Sequence, residues 1–289
     1  IWEFPHMDLT PFNIFGGVIG IFLVFRTNAG YERWWEARKI WGGIVNQSRN
    51  IVVGAISYGP QDKHWVKQVV DWTSAFSFLA KAHLRGERVK EQICEEFGVE
   101  MWEQLESAQH PPLEATRRIA DLMLVARQQG EMDPYAFMNL DQERNMLLNY
   151  MGACERILKT PMPYVYAIKI RRFVVMFLML VPIAIVTDFG WMTPLIMLFI
   201  AYPMLSLDQI GQELQNPFAK DRLSHLPLDE ICTKIRSDLL MHARNSEQVD
   251  SIPLAEIEGF IEHATQPSES NTDSEPSHQE WVNTGVRTD

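Results

Sequence analysis

A catalyst needs acids, bases, nucleophiles or metal ligands at fixed spacing, whereas a conduit needs only a lining. The 289-residue chain is poor in the first kind of pattern. Its eight histidines are scattered, and its three cysteines (Cys94, Cys154, Cys232) are too distant and odd in number for a disulfide framework or a paired-cysteine metal site. No phosphate loop with Gly-Lys-Ser/Thr, His-Glu-x-x-His, dinucleotide glycine fingerprint or Gly-x-Ser-x-Gly occurs. The carboxylate pairs Glu95/Glu96 and Asp229/Glu230 read as solvated helix faces. Asp188 is the only charge enclosed between two long apolar runs, and it sits in the turn joining them, which argues against a proton relay and against catalysis. The expectation is a non-enzyme with no cofactor and no metal.

A lining is easier to find. Gly17, Ile21 and Phe25 recur every four residues in the first apolar run, PFNIFGGVIGIFLVF (Pro11–Phe25). Around a shared axis such a stripe makes an apolar constriction of the kind that gates by dewetting. The same stripe could equally face lipid or a packed helix, and periodicity does not separate it from the adjacent Ile14, Val18 and Phe22. Gly16 and Gly20 form a small-xxx-small step that favours close helix packing. Beyond the run, Tyr31–Arg38 packs charge and indole together. Its favoured reading is a structural lock, with Glu32 and Glu36 reaching cations at helical spacing; lining an ion path is the alternative. Asn46, Gln47, Ser48, Arg49 and Asn50 interrupt an apolar helix and need partners or a wet vestibule.

The elements that carry these residues are helical. Two further apolar runs, Phe173–Val186 and Trp191–Leu207, are separated only by Thr187–Gly190, so they form an antiparallel hairpin that approaches bilayer length. Thr10 is the expected N-cap of the first helix and Pro11 its first residue. Amphipathic helices are expected within 64–84, 111–130, 141–160 and 226–244, with a short acidic one over 252–264. No strand pattern is present, so the chain is all-α. From Thr265 onward the composition is too polar to offset ordering entropy, and a disordered acidic tail is expected.

A mean hydropathy of −0.13 conceals this segregation. So does the net charge of −11. Residues 26–172 hold 20 Lys/Arg and 18 Asp/Glu, while 208–289 hold 6 and 16, so the acidity is C-terminal and nucleic acid is an unsuitable partner. Basic residues cluster beside the apolar runs at Arg26–Lys39, Lys169–Arg172 and Lys220/Arg222, and are missing from 187–190. That places 26–172 and the C-terminal segment on the inner side. Three visible spans then put Ile1 outside, and a further helix is expected upstream.

In combination, FLVFRTNAGYERWWEARKIWG, GACERILKTPMPYVYAIKIRRF and DQIGQELQNPF resemble the bestrophin family of ion channels in its bacterial form, from about Pro11 to Leu240. The fingerprint residues are Arg33, Trp34, Trp35, Glu36, Glu213, Asn216, Pro217 and Phe218. The resemblance implies a homopentamer around one central pore in the bacterial inner membrane, passing small monovalent ions, with a slight lean to cations over chloride. It makes Gly17, Ile21 and Phe25 the pore neck, Gly17 replacing a larger apolar residue. It divides the chain into an outer segment and pore helix (1–25), a cytosolic vestibule (26–164), a membrane hairpin (165–210), a segment wrapping a neighbouring subunit (211–264) and the tail (265–289). Eukaryotic members bind calcium through an acidic cluster after Asn-Pro-Phe. Here Ala219–His225 offers one carboxylate beside two cations, too few oxygens for calcium, so no clasp is expected. A membrane-anchored scaffold or a proton-coupled transporter is the alternative.

Overall fold

The computed structural model describes residues 8–221 and 224–249. Among these, nine α-helices and one 3-10 turn account for the regular structure, and no strand occurs. They are α1 (Thr10–Tyr58), α2 (Lys63–Arg85), α3 (Lys90–Phe97), α4 (Val99–Leu105), α5 (Pro111–Gln128), α6 (Pro134–Lys159), α7 (Tyr164–Phe189), the 3-10 turn Gly190–Met192, α8 (Thr193–Glu213) and α9 (Leu228–Val249). The chain divides into a helical unit, Ile1–Ser246, and a second unit, Glu247–Asp289, of which only the end of α9 is described.

Local chemistry starts and stops these helices. Asp62 accepts from His64 N at 2.9 Å to cap α2, and Asp133 accepts from Tyr135 N at 2.8 Å to cap α6. Prolines stand in the first turns of α1, α5, α6 and α8, where a missing N–H costs nothing. Gly86 (φ 66°) ends α2 in the left-handed region that glycine enters freely.

Two apolar cores result, and α1 serves both. The larger holds Ala37, Trp41, Ile44, Ile51 and Val52 of α1, most of α2, and buried faces of α5, α6 and α9. The smaller gathers Ile19 and Leu23 of α1 against Ile170, Val174, Phe177, Val181 and Ile185 of α7, with α8 alongside. Outside the smaller core, apolar side chains such as Met179, Leu198, Phe199 and Trp191 lie exposed. Thr10–Tyr58 and Val165–Glu213 are each long and apolar enough to cross a bilayer.

Several expectations need correction. Thr10 does not cap α1: it is the first helical residue, Leu9 holds the cap position without a side-chain bond, and Asp8 accepts from Thr10 N at 2.9 Å. The hairpin break lies at Gly190–Met192, because α7 continues through Asp188 to Phe189. Helix α6 begins seven residues earlier than its periodicity suggested, at the Asp133-Pro134 start signal. Helices α3 and α4 were unforeseen, being too short for a periodic pattern to register. The 252–264 helix and the tail from 265 lie outside the described residues.

Candidate functional site

The stripe expected to line a pore stands clear of the subunit's own packing. Ile21 and Phe25 are 56% and 59% exposed and Gly17 is open, while Ile19, Leu23 and Arg26 on the opposite side of α1 are buried. The neighbouring Ile14, Val18 and Phe22 are exposed too, so a single subunit leaves both apolar faces available. The Gly16/Gly20 step is only half used within the chain. A Cβ at Gly16 would meet Phe177 Cζ of α7 at 2.9 Å, whereas one at Gly17 or Gly20 would meet nothing within 4 Å.

Below the stripe, α1 is held by an ion cluster that sequence reasoning missed. Asp208 of α8 is buried and pairs with the buried Arg26. The same carboxylate accepts from Arg171 Nη2 of α7 at 3.0 Å and from Gln212 Nε2 at 2.7 Å. Gly211 lets the Arg26 stem approach: a Cβ there would lie 3.3 Å from Arg26 Cγ. Asp188 remains the only charge enclosed between the two runs of the hairpin, and Asp208 lies just past the second of them. The signal was available, since Asp208 directly follows the third run and arginines flank the others at Arg26 and Arg171/Arg172.

Several of the fingerprint residues make tertiary contacts, in place of the pairs at helical spacing expected of Glu32 and Glu36. Arg33 reaches the C-terminal end of α6, donating to the carbonyls of Ile157 and, at 2.8 Å, Thr160, where a cation suits the helix dipole. Glu36 pairs with Arg156 of α6 at 2.7 Å, and Trp34 Nε1 donates to Ser224 O at 2.7 Å. Trp35 is half exposed and stacks on Tyr31. Glu213 accepts from Gln209 at 2.9 Å. Asn216 accepts from Phe218 N at 3.2 Å, Pro217 O accepts from Leu226 N at 2.8 Å, and the ring of Phe218 is fully buried. Glu32 joins none of this. It is exposed and has no ion-pair partner among the described residues.

The polar run in α1 ties helices together more than it wets a vestibule. Gln47 and Asn50 donate to Glu143 of α6, Arg49 pairs with Asp238 of α9, and Ser48 donates to Ile44 O; Asn46 is exposed. Helix α9 itself turns Leu228, Cys232, Ile235 and Leu239 into its own subunit's core.

A few titratable groups outside the apolar helices are held away from their ordinary values. Burial pushes the Cys154 and Cys232 thiols up to about 12, so neither is a nucleophile. Burial raises Asp229, but Lys81 and Arg85 outweigh it and hold its carboxyl at about 2. Two of the scattered histidines converge: His110 Nε2 and His83 Nε2 lie 2.8 and 3.2 Å from one oxygen of Glu155. Hydrogen bonds from His110 and Lys159 hold Glu155 at about 2. Burial, then the neighbouring His110, lowers His83.

Exposed apolar helices of bilayer length with a buried charge cluster beside them mark a membrane protein that is all-helical among the described residues. Residues 1–241 match the family described as bacterial/fungal bestrophin protein. A voltage-dependent anion channel-forming protein of Nostoc is 33% identical over 77% of this chain and 73% of its own length. One from Escherichia coli K12 is 34% identical over 80% and 76%. The crystal structure of a bacterial bestrophin homologue from Klebsiella pneumoniae superposes with a TM-score of 0.78 at 29% identity, covering 83% of this chain and 88% of that one. The chain belongs to the bestrophin family of ion channels.

Proposed function

We propose that five copies of this chain surround a central pore in the bacterial inner membrane and let small monovalent ions pass down their gradient. The observation that carries this reading is the exposed Gly17–Ile21–Phe25 stripe, apolar side chains that the subunit's own fold leaves uncovered at bilayer depth. In the pentamer Ile21 and Phe25 form a dry neck with Gly17 at its wider outer end, and residues 26–164 build the inner vestibule. No calcium clasp forms after Phe218.

The neck has no charge with which to choose an ion. Glu32 lies seven residues beyond Phe25, which returns it to within about 20° of the Phe25 azimuth and about 10 Å further along the axis. Five such carboxylates ring the inner mouth and favour cations. The relatives' own names favour the opposite sign, since those proteins are called anion channel-forming. Reversal potentials of the purified protein in bilayers with asymmetric sodium chloride separate the two. A shift toward the sodium equilibrium potential supports the cation reading, and one toward chloride replaces it. Absence of any passive flux in liposomes, or a monomer by crosslinking, refutes the channel and favours a membrane-anchored scaffold.

A further inference from the structure

We propose that His83, His110 and Glu155 form a zinc-class metal site within one subunit. One ligand atom from each lies within 4.8 Å of the others. Both Nε2 atoms point at the same carboxylate oxygen, at 3.2 Å from His83 and 2.8 Å from His110, and the rings are 4.5 Å apart between centroids. In a tetrahedral zinc site, bonds of about 2.0–2.1 Å set neighbouring donor atoms roughly 3.3 Å apart. Each nitrogen already stands nearly that far from the oxygen, and the ligand atoms all lie within 4.8 Å of one another, so side-chain shifts bring the three around a cation.

The donor set selects the ion. Two imidazoles and one carboxylate suit zinc and its first-row neighbours, whereas calcium and magnesium prefer oxygen throughout. The three side chains are each partly exposed, which leaves a fourth position for water. Lys159 holds the other oxygen of Glu155 at 2.7 Å, so the carboxylate presents a single oxygen in a fixed direction. The ligands come from three places: the last turn of α2, the residue before α5, and the end of α6. A bound ion therefore staples three helices already linked here by the hydrogen bond and ion pair to Glu155.

The geometry also fixes a cost. His110 Nδ1 accepts from Leu113 N at 3.1 Å and caps α5. A neutral imidazole bound through Nε2 must carry its proton on Nδ1, so the Leu113 N–H has to turn to water. Metal loading thus exchanges a helix cap for a three-helix crosslink.

The test uses the full-length protein in detergent, stripped with chelator and titrated with zinc alone, then magnesium. About one zinc per chain is expected, with two imidazole nitrogens and an oxygen in its X-ray absorption spectrum. His83→Gln and Glu155→Gln should each weaken binding by at least about tenfold. His64→Asn/His242→Asn, which removes exposed histidines elsewhere, should not. Circular dichroism verifies that each variant is folded. Hydrogen exchange at the Leu113 amide should accelerate on zinc addition. Undiminished zinc in both ligand variants, equal affinity for magnesium, or unchanged Leu113 exchange in zinc-loaded protein would overturn the assignment.

Discussion

At the residue scale, the side chains differ sharply in what their loss costs. Arg26 is 1% exposed and its charge is answered by Asp208, so Asp208→Asn leaves a buried guanidinium uncompensated. We expect it to lower stability by about 3 kcal/mol or more, whereas Arg171→Gln, removing a half-exposed partner of the same carboxylate, should cost about 1 kcal/mol or less. Thermal unfolding of the two variants in detergent checks the order. The His83/Glu155 pair predicts an acid profile. His83 in the folded chain lies below its ordinary 6.5, so the neutral ring is favoured and that stability fades as pH falls from about 6.5. Glu155 lies at about 2 rather than 4.5, so its contribution is present above 4.5 and is lost between there and 2. Melting temperatures measured from pH 7 to 3 should fall in two stages, and Glu155→Gln should shrink the lower one, the part due to Asp229 remaining. The histidine cluster was not legible in the sequence: His83, His110 and Glu155 are separated by 27 and 45 residues, and no local spacing reports such a meeting. The Arg33, Glu36 and Asn216–Phe218 locks were legible as types, because their partners are backbone groups or cations at helix ends.

At the element scale, the seam between α1 and α6 depends on two glycines. A Cβ at Gly43 would sit 2.5 Å from Tyr150 Cζ, and one at Gly54 would sit 2.5 Å from Leu140 Cδ2. Gly43→Ala and Gly54→Ala should each destabilise by about 1–3 kcal/mol through overpacking, while Gly17→Ala, with nothing nearby in the subunit, should leave the melting temperature unchanged. A uniform response across the three would show that the seam does not discriminate. Helix existence was plain from apolar periodicity for α2, α5, α6, α7 and α8. Boundaries were less so, since α6 starts at Asp133-Pro134, seven residues before its periodic stretch. The continuation of the first helix past Arg26 was readable, and α1 passes there from one core to the other without a break. Helices α3 and α4, of eight and seven residues, offered barely two turns each for a pattern to show.

At the scale of the whole molecule, the pore reading predicts conduction phenotypes. Ile21→Ala or Phe25→Ala should raise single-channel conductance by widening the dry neck, and unchanged currents in both would remove them from it. Glu32→Gln should move the reversal potential away from sodium without altering the melting temperature. Membrane character and family were readable from the apolar hairpin and the Arg-Trp-Trp and Asn-Pro-Phe segments. What lies between subunits was not, because one chain exposes both the Ile21 and the Ile14 faces of the same helix. That helix runs 49 residues, about 74 Å at 1.5 Å per residue, with no proline after its first turn. It is therefore one unbroken rod, clamped to α8 at Arg26, to α6 at Arg33 and to α9 at Arg49. Successive stripe positions are offset by about 40°, so a roll of that size brings Ile21 to the bearing Phe25 had held. In the proposed pentamer such a roll would exchange the ring of side chains facing the axis, and those three clamps are what it would have to break.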